Sequence, residues 1–176
     1  RHLHSLRRRQ RQMCIRDSPY TLPALIRTVR DFVAPQKEER IGDLYGGVGT
    51  FALSLAESAR LTLVESDPEN VRLAKWAQRK NNRSFEILAQ PVEKITHRFF
   101  DKVIVDPPRG GLSPSALAVL GRLLPQRIVY VSCNPRTQKR DINFLEAKGY
   151  YLRKLVLIDQ FPHSLHTETV ALLVKK

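Results

Sequence analysis

Short apolar runs that alternate with amphipathic segments are the feature that most constrains the fold of this chain. Helices are predicted over Thr21–Val33, Thr50–Ala59, Pro68 to Asn81, Pro114–Leu124 and Thr137–Ala147. Between and after them lie seven runs of strand-forming residues: RIGDLY (40–45), LTLVES (61–66), FEILA (85–89), DKVIVD (101–106), RIVYVS (127–132), YYLRKLVLID (150–159) and ETVALLVKK (168–176). No helix fits between the last two, so they should pair antiparallel. Residues 19–176 are therefore predicted to form one α/β domain, a doubly wound Rossmann-like sheet of about seven strands, mostly parallel with an antiparallel C-terminal strand.

Residues 1–18 are interpreted separately. RRQRQMCIRDS (8–18) matches the translation of a transposon-based sequencing adapter, and all eleven residues fit one reading frame. A secretory signal would need an apolar central stretch, which is absent here. The six arginines of residues 1–18 and the lack of apolar periodicity there predict that these residues do not pack in an ordered way. We interpret it as an artefact and the rest as a fragment of a longer gene.

The charge and the cysteine content narrow the function classes. The chain has 30 basic and 17 acidic residues and a net charge of +13; residues 19–176 retain +8. This favours a polyanionic partner, although a solvated basic face has the same composition. No apolar run is long enough to cross a membrane. Cys14 lies in the adapter-like segment, so Cys133 is the single native thiol. A single cysteine excludes an intrachain disulfide and an all-cysteine metal site, and it fits a reducing cytoplasm. We also predict that the protein binds no metal and is a monomer.

The glycine-rich segment DLYGGVGTF follows a predicted strand and precedes a predicted helix. Glycines at this place let the backbone approach a ligand closely. Glu65 ends the next strand, where a carboxylate can accept hydrogen bonds from ribose hydroxyls. NAD and S-adenosylmethionine both meet this description, and the spacing Gly-Gly-x-Gly favours the methyl donor over a dinucleotide.

The segment VDPPRGG ends the fourth predicted strand. Two prolines make the backbone after Asp106 extended and rigid, as at the substrate position of methyltransferases. An arginine follows them instead of an aromatic residue, which argues against methylation of an exocyclic amine. Arg109 could bind a phosphate or a carboxylate.

The segment VYVSCNP places Cys133 where a strand ends, at the ligand-binding edge of an α/β sheet. A buried structural cysteine is the alternative. Glu168 opens the last predicted strand and could face Cys133 across that edge. A thiol, a carboxylate base and a methyl donor together suit methylation at C5 of uracil, since thiolate attack at C6 activates C5 and a base must then remove the C5 proton. His163 and His166 are weaker candidates for this base.

Five segments occur in the order DLYGGVGTF, VESDPENV, DPPRGGL, YVSCNPRT and DQFPHSLHTETVALL over residues 20–176. Together they resemble the C-terminal catalytic domain of the RNA uracil-5-methyltransferases, which form 5-methyluridine in 23S rRNA or tRNA. The resemblance implies that Cys133 is the nucleophile, that Glu168 removes the C5 proton, and that S-adenosyl-L-methionine is the cofactor. It also implies a methyl-donor site lined by Tyr45, Gly46, Gly47, Gly49, Thr50, Glu65 and Asp106.

The resemblance further implies a structured RNA as partner, with 23S rRNA expected first and tRNA as the alternative. Members of the family also carry an upstream Phe-Phe-Gln-x-Asn segment and an N-terminal RNA-binding β-barrel, and some carry an iron–sulfur insertion. This sequence contains none of them, which supports the interpretation as a truncated fragment.

Two other functions stay open. A cytosine-C5 methyltransferase would also use a cysteine, but usually within a Pro-Cys pair, and here Ser132 precedes Cys133. A non-catalytic RNA-binding remnant would explain the basic charge, but not the combination of Cys133 with Glu168.

Overall fold

The computed structural model describes residues 21–96, 98–159 and 167–176. The predictions for residues 1–18, His163 and His166 lie outside this part of the chain. Its helices are α1 (Thr21–Val33), α2 (Thr50–Leu55), α3 (Pro68–Lys80), α4 (Pro114–Leu123) and α5 (Pro135–Glu146), with a short 3-10 turn at Val92–Lys94. Its strands are β1 (Arg40–Leu44), β2 (Arg60–Glu65), β3 (Glu86–Ala89), β4 (Lys102–Val105), β5 (Arg127–Ser132), β6 (Tyr150–Asp159) and β7 (Thr167–Lys175).

The strands form one sheet in the order β3-β2-β1-β4-β5-β7-β6. The first five are parallel to one another, and β7 is antiparallel to both β5 and β6. The predicted α/β fold, mostly parallel with an antiparallel C-terminal strand, is confirmed. The last strand, β7, pairs with β5 as well as with β6, because it is inserted between them.

Two apolar layers cover the two faces of the sheet. Helices α1, α2 and α3 pack on one face around Ile41, Leu63 and Ile104, while α4 and α5 pack on the other around Leu44, Val103 and Val105. Residues adjacent in β4 therefore point into different layers, and both are buried, as expected of a strand covered on both sides.

The helix boundaries follow local signals. The side chain of Asp67 accepts hydrogen bonds from the amides of Glu69 and Asn70, at 2.9 and 3.0 Å, and Pro68 opens α3. The predicted helix 50–59 is wrong at its end, since α2 stops at Leu55 and residues 56–58 form a turn. Arg60 already belongs to β2, so the chain has to reverse within that short segment. Helix α5 starts two residues before the predicted Thr137, because Asn134 caps it and Pro135 takes the first helical position.

Candidate active site

Four parallel strands end at the same edge of the sheet and bring the predicted site residues to it. Leu44 of β1 pairs with Val64 of β2 and with Val105 of β4, and Val105 pairs with Tyr130 of β5. The residues that end or follow these strands are Tyr45, Glu65, Asp106 and Cys133. Because β7 runs in the opposite direction, its first residues lie at this edge too.

The glycine loop closes tightly against β2. The amide of Gly46 donates to the carbonyl of Val64 (3.1 Å), and the amide of Gly49 donates to the carbonyl of Gly46 (2.8 Å). Tyr45, Gly47 and Gly49 all adopt positive φ, with values of 60°, 55° and 86°. A Cβ atom at Gly46 would lie 2.7 Å from Cγ of Leu63, so glycine is required by close approach at Gly46 and by backbone conformation at Gly49. Thr50 is the first residue of α2, directly after this loop.

The carboxylate of Glu65 organises the same loop. It accepts hydrogen bonds from the backbone amides of Gly47 (2.9 Å), Ser66 (2.8 Å) and Asp67 (2.7 Å). A carboxylate has about four acceptor positions, so these three bonds leave room for a further donor. Glu65 therefore fixes the shape of the loop and can still accept a hydrogen bond from a hydroxyl group of a ligand.

Asp43 is a residue of this site that the sequence analysis missed. It is fully buried at the end of β1, where one oxygen accepts the amide of Ala52 at 3.0 Å. The other oxygen, Oδ1, has no hydrogen-bond partner in the described part of the chain. Burial raises the pKa of Asp43 to about 7, and Asp106 and Glu65 add to the effect. A carboxylate inside an otherwise apolar strand, next to a glycine loop, was the signal that could have revealed it.

The turn after β5 presents Cys133. The amide of Asn134 donates to the hydroxyl of Ser132 (3.0 Å), and the side chain of Asn134 accepts the amide of Arg136 (3.2 Å), which caps α5. Cys133 thus lies between a residue that ends the strand and a residue that starts the helix. It is a free thiol at intermediate exposure and not a core residue.

Glu168 lies beside Cys133 through the register of β7, in which Thr169 pairs with Ser132. Its side chain is buried, with 3% of the residue exposed, and Oε2 has no hydrogen-bond partner among the described residues. Burial, and then the charge of Asp106, raise the pKa of Glu168 to about 8. A buried carboxyl oxygen without a hydrogen-bond partner is costly for stability and is typical of functional sites.

Three charged neighbours in the described part of the chain affect the pKa of the Cys133 thiol. Burial is the main cause that raises its pKa, and the carboxylates of Glu168 and Asp106 raise it further. Arg109 acts in the opposite direction and lowers the pKa. Among the described residues, Arg109 is thus the cation that favours the thiolate of Cys133. In the structure, the charges of Glu168, Asp106 and Arg109 therefore all act on the thiol of Cys133.

Neither a metal cluster nor a membrane span is found in the described ranges. Within residues 21–96, 98–159 and 167–176, no three His, Cys, Asp or Glu side chains are grouped so that they could hold a metal ion. No helix in these ranges is both long and apolar enough to cross a membrane.

A protein-family comparison matches more than half of the chain. The family described as tRNA (Uracil-5-)-methyltransferase matches residues 77–176. The chain belongs to this family. Its curated relatives include an uncharacterized RNA methyltransferase of Nanoarchaeum equitans, 41% identical over 157 residues, a match that covers 89% of this chain and 35% of the relative. The chain spans only 35% to 41% of the length of the first four such relatives.

Two relatives within the uracil-5-methyltransferase family differ in their RNA. Both come from Pyrococcus abyssi: a tRNA (uracil(54)-C(5))-methyltransferase, 38% identical over 88% of this chain and 37% of its own length, and a 23S rRNA (uracil(747)-C(5))-methyltransferase, 36% identical over 89% and 38%. The crystal structure of the P. abyssi tRNA enzyme with S-adenosyl-L-homocysteine matches with a TM-score of 0.80 and 38% identity, covering 88% of this chain and 38% of that one. TrmN from Thermus thermophilus, at 20% identity over 88% of this chain and 49% of its own, shares the fold with a TM-score of 0.69.

Proposed function

We propose that this chain is the catalytic part of an enzyme that transfers a methyl group from S-adenosyl-L-methionine to C5 of a uridine in structured RNA. The observation that carries the proposal is the meeting of Cys133 and Glu168 at the sheet edge where the glycine loop also lies. A binding module has no need of a thiol beside a buried carboxyl group with one oxygen that lacks a hydrogen-bond partner among the described residues. The proposed enzyme acts as a cytoplasmic monomer on its RNA.

The residues of the glycine loop fit a nucleoside-type methyl donor. The tight backbone at Gly46 and Gly49 leaves a surface without side chains, Glu65 retains acceptor capacity, and Oδ1 of the buried Asp43 has no partner among the described residues. With Tyr45, Gly47, Thr50 and Asp106, these residues would hold S-adenosyl-L-methionine, whose sulfonium supplies an electrophilic methyl group. The related P. abyssi enzyme crystallised with S-adenosyl-L-homocysteine, which supports this assignment.

In the proposed reaction Cys133 is the nucleophile. C5 of uracil is a poor nucleophile, so the thiolate forms a bond to C6, and the electron pair of the C5–C6 double bond moves into an enolate at O4. The enolate makes C5 able to accept the methyl group. Attack requires the thiolate, and Arg109 is the neighbour that favours it.

Glu168 is proposed as the base of the last step. After methylation C5 still carries its proton; Glu168 removes it, the C5–C6 double bond forms again, and the bond to Cys133 breaks with the electrons returning to sulfur. A carboxylate whose pKa is raised to about 8 is a stronger base than an exposed glutamate, and it is in the ionised form increasingly as pH rises through that value.

The roles are tested by replacing the two residues in the full-length parent protein with labelled RNA and S-adenosyl-L-methionine. Cys133→Ala should abolish turnover and any covalent adduct, since no nucleophile remains. Glu168→Gln allows attack and methylation but slows elimination, so a methylated, cysteine-linked RNA should accumulate on denaturing gels. An adduct with Cys133→Ala, or normal turnover with Glu168→Gln, would contradict the assigned roles. A non-catalytic RNA-binding protein would bind RNA equally with and without Cys133.

The RNA is proposed to be 23S rRNA, with tRNA as the alternative. Relatives of both kinds match at nearly the same identity, 36% and 38%, so sequence similarity does not separate them. Adduct formation by the Glu168→Gln parent with 23S rRNA fragments and with tRNA transcripts, side by side, decides between the two. Adducts with tRNA alone would reject the rRNA proposal.

A further inference from the structure

The loop that follows β4, residues 106–112, is held from α5 through its carbonyl groups. The carbonyl of Arg109 accepts hydrogen bonds from the side chains of Asn134 (3.0 Å) and Thr137 (3.3 Å). The guanidinium of Arg140 donates to the carbonyls of Gly110 (3.2 Å) and Leu112 (3.1 Å). Within the loop the amide of Gly111 donates to the carbonyl of Pro108 (2.8 Å), which closes a turn. The contacts from α5 fix where this turn, and Arg109 within it, lies relative to Cys133.

Asp141 lies at the centre of this arrangement. It is fully buried, and its Oδ2 accepts the amide of Leu112 (2.8 Å) and the hydroxyl of Tyr130 (2.6 Å). Its Oδ1 accepts Nε of Arg140 at 2.8 Å, which orients the guanidinium toward the loop. The carboxylate of Asp141 thus joins β5, α5 and the loop.

Gly111 shows how closely the loop fits against Asp141. Its φ is +75°, and a Cβ atom there would lie 2.6 Å from Oδ2 of Asp141 and 2.8 Å from the guanidinium of Arg140. The loop backbone therefore rests directly on the Asp141–Arg140 pair. A displacement of this pair must displace the loop.

We propose that Asp141 is a positioning residue that, through Arg140 and the amide of Leu112, keeps Arg109 close to Cys133. The significance of this role for catalysis depends on the proposed function, but the geometry does not. Among the described residues, the charged groups that act on Cys133 are Asp106 and Arg109 from the loop and Glu168 from β7. Of these, Arg109 alone favours the thiolate, so its position affects how readily Cys133 ionises.

The test measures the rate of alkylation of Cys133 by iodoacetamide across pH 6 to 10, in the chain with Cys14→Ser so that one thiol reacts. In Asp141→Asn, the amide can still accept from Leu112 and Tyr130, but its NH₂ group faces the Nε–H of Arg140 and releases the arginine. The apparent pKa of Cys133 should rise by roughly one unit as Arg109 moves away. Removal of a negative charge would by itself lower this pKa, so a rise separates displacement of Arg109 from a direct charge effect.

Two further variants make the test specific. Glu146→Gln also replaces a carboxylate by an amide, but at an exposed position of α5, and it should leave the pH profile of alkylation unchanged. In an Arg109→Gln background the rise caused by Asp141→Asn should disappear. If Asp141→Asn does not fold, Arg140→Gln, an exposed side chain, should produce the same rise. An unchanged profile in a folded variant, or an equal rise without Arg109, would overturn the proposal. Since neither RNA nor methyl donor is used, failure of the proposed function would leave this result intact.

Discussion

Two buried carboxyl groups at the candidate site, Asp43 and Glu168, each leave one oxygen without a hydrogen-bond partner among the described residues. Each has a raised pKa, to about 7 and about 8, because burial disfavours the charged form. The folded protein thus binds these protons more tightly than the unfolded chain does. Both groups reduce stability at the pH where they are ionised, as is common for functional residues.

Replacing Glu168 by glutamine should therefore stabilise the protein in a pH-dependent way. The pKa of the carboxyl group is about 8 in the folded state and 4.5 at its ordinary value, so the stability of the native protein falls as pH rises from about 4.5 through 8. Glu168→Gln lacks this loss, and its advantage should grow to a few kcal/mol between pH 5 and pH 9. Thermal unfolding of both proteins over this range, with exposed Glu146→Gln as control, measures the difference. If the difference in stability did not grow with pH, the pKa of Glu168 would not be raised in the folded protein.

Two adjacent glycines provide a matched test of the loop before α4. Gly111→Ala must place a Cβ 2.6 Å from Asp141 at a φ of +75°, whereas a Cβ at Gly110 meets nothing within 4 Å. We expect Gly111→Ala to cost about 1–3 kcal/mol of unfolding free energy and Gly110→Ala less than about 1 kcal/mol, as measured by urea denaturation. Equal effects would show that the loop does not rest on Asp141.

At the level of elements, α5 is the scaffold of the site on both sides of Cys133. One side chain, Gln138, is 3% exposed and donates to the carbonyl of Tyr130 in β5 (2.9 Å). Its amide oxygen accepts the hydroxyl of Thr169 in β7 (2.9 Å). Gln138 therefore links the strand that leads to Cys133 with the strand that carries Glu168.

Gln138→Ala should destabilise the protein, because it leaves the carbonyl of Tyr130 with one bond fewer and creates a void. The expected loss is about 1–3 kcal/mol, against less than about 0.5 kcal/mol for the neighbouring exposed Lys139→Ala. Chemical denaturation gives these values. In the parent protein, the same substitution should slow adduct resolution more than adduct formation. The reason is that the hydroxyl of Thr169, next to Glu168, loses its hydrogen bond to Gln138. Equal slowing of both steps would argue against this link.

Over the whole molecule, exposed basic side chains occur at both ends of the strands, and those of α5 lie at the end that carries the candidate site. At the opposite end of the sheet, where the parallel strands begin (the amino edge), two of the arginines are paired with carboxylates, in Arg60–Glu38 and Arg98–Glu86. At the candidate site, the exposed Arg136 and Lys139 of α5 form no salt bridge with any residue in the described ranges. An RNA backbone would be attracted to this second edge.

The salt dependence of RNA binding tests whether RNA contacts the basic side chains of α5. Arg136→Gln with Lys139→Gln should reduce the slope of log affinity against log salt by roughly 1 to 2, since about 0.7 to 0.9 ion is released per phosphate contact. The control is Arg79→Gln with Lys80→Gln, two exposed positions in the last turn of α3, near the amino edge. Fluorescence anisotropy with the parent protein measures both slopes. An equal reduction in both double variants would indicate that the RNA does not select the candidate-site edge.

Local signals in the sequence were sufficient for most elements and for the ends of several. Asp67-Pro68 as a helix start, the glycines after β1 and the apolar runs of the strands depend on interactions within a few residues, which any fold would retain. The position of Cys133 at a strand end followed from the same reasoning, since Pro135 has no amide hydrogen to donate to a strand ladder. The early end of α2 did not, because the short connection to β2 is set by the sheet.

What the tertiary structure decided is the environment of these residues. The insertion of β7 between β5 and β6 places Glu168 beside Cys133, and no local pattern distinguishes this from a β7 at the sheet edge. The burial of Asp43, the raised pKa of Glu168 and the contacts of Asp141 arise from segments distant in sequence. Propensity and hydrophobic periodicity act over a few residues, while desolvation and charge interactions depend on which strands become neighbours. For this reason the sequence by itself determined which chemical groups the protein carries, and folding determined how strongly each one holds its proton.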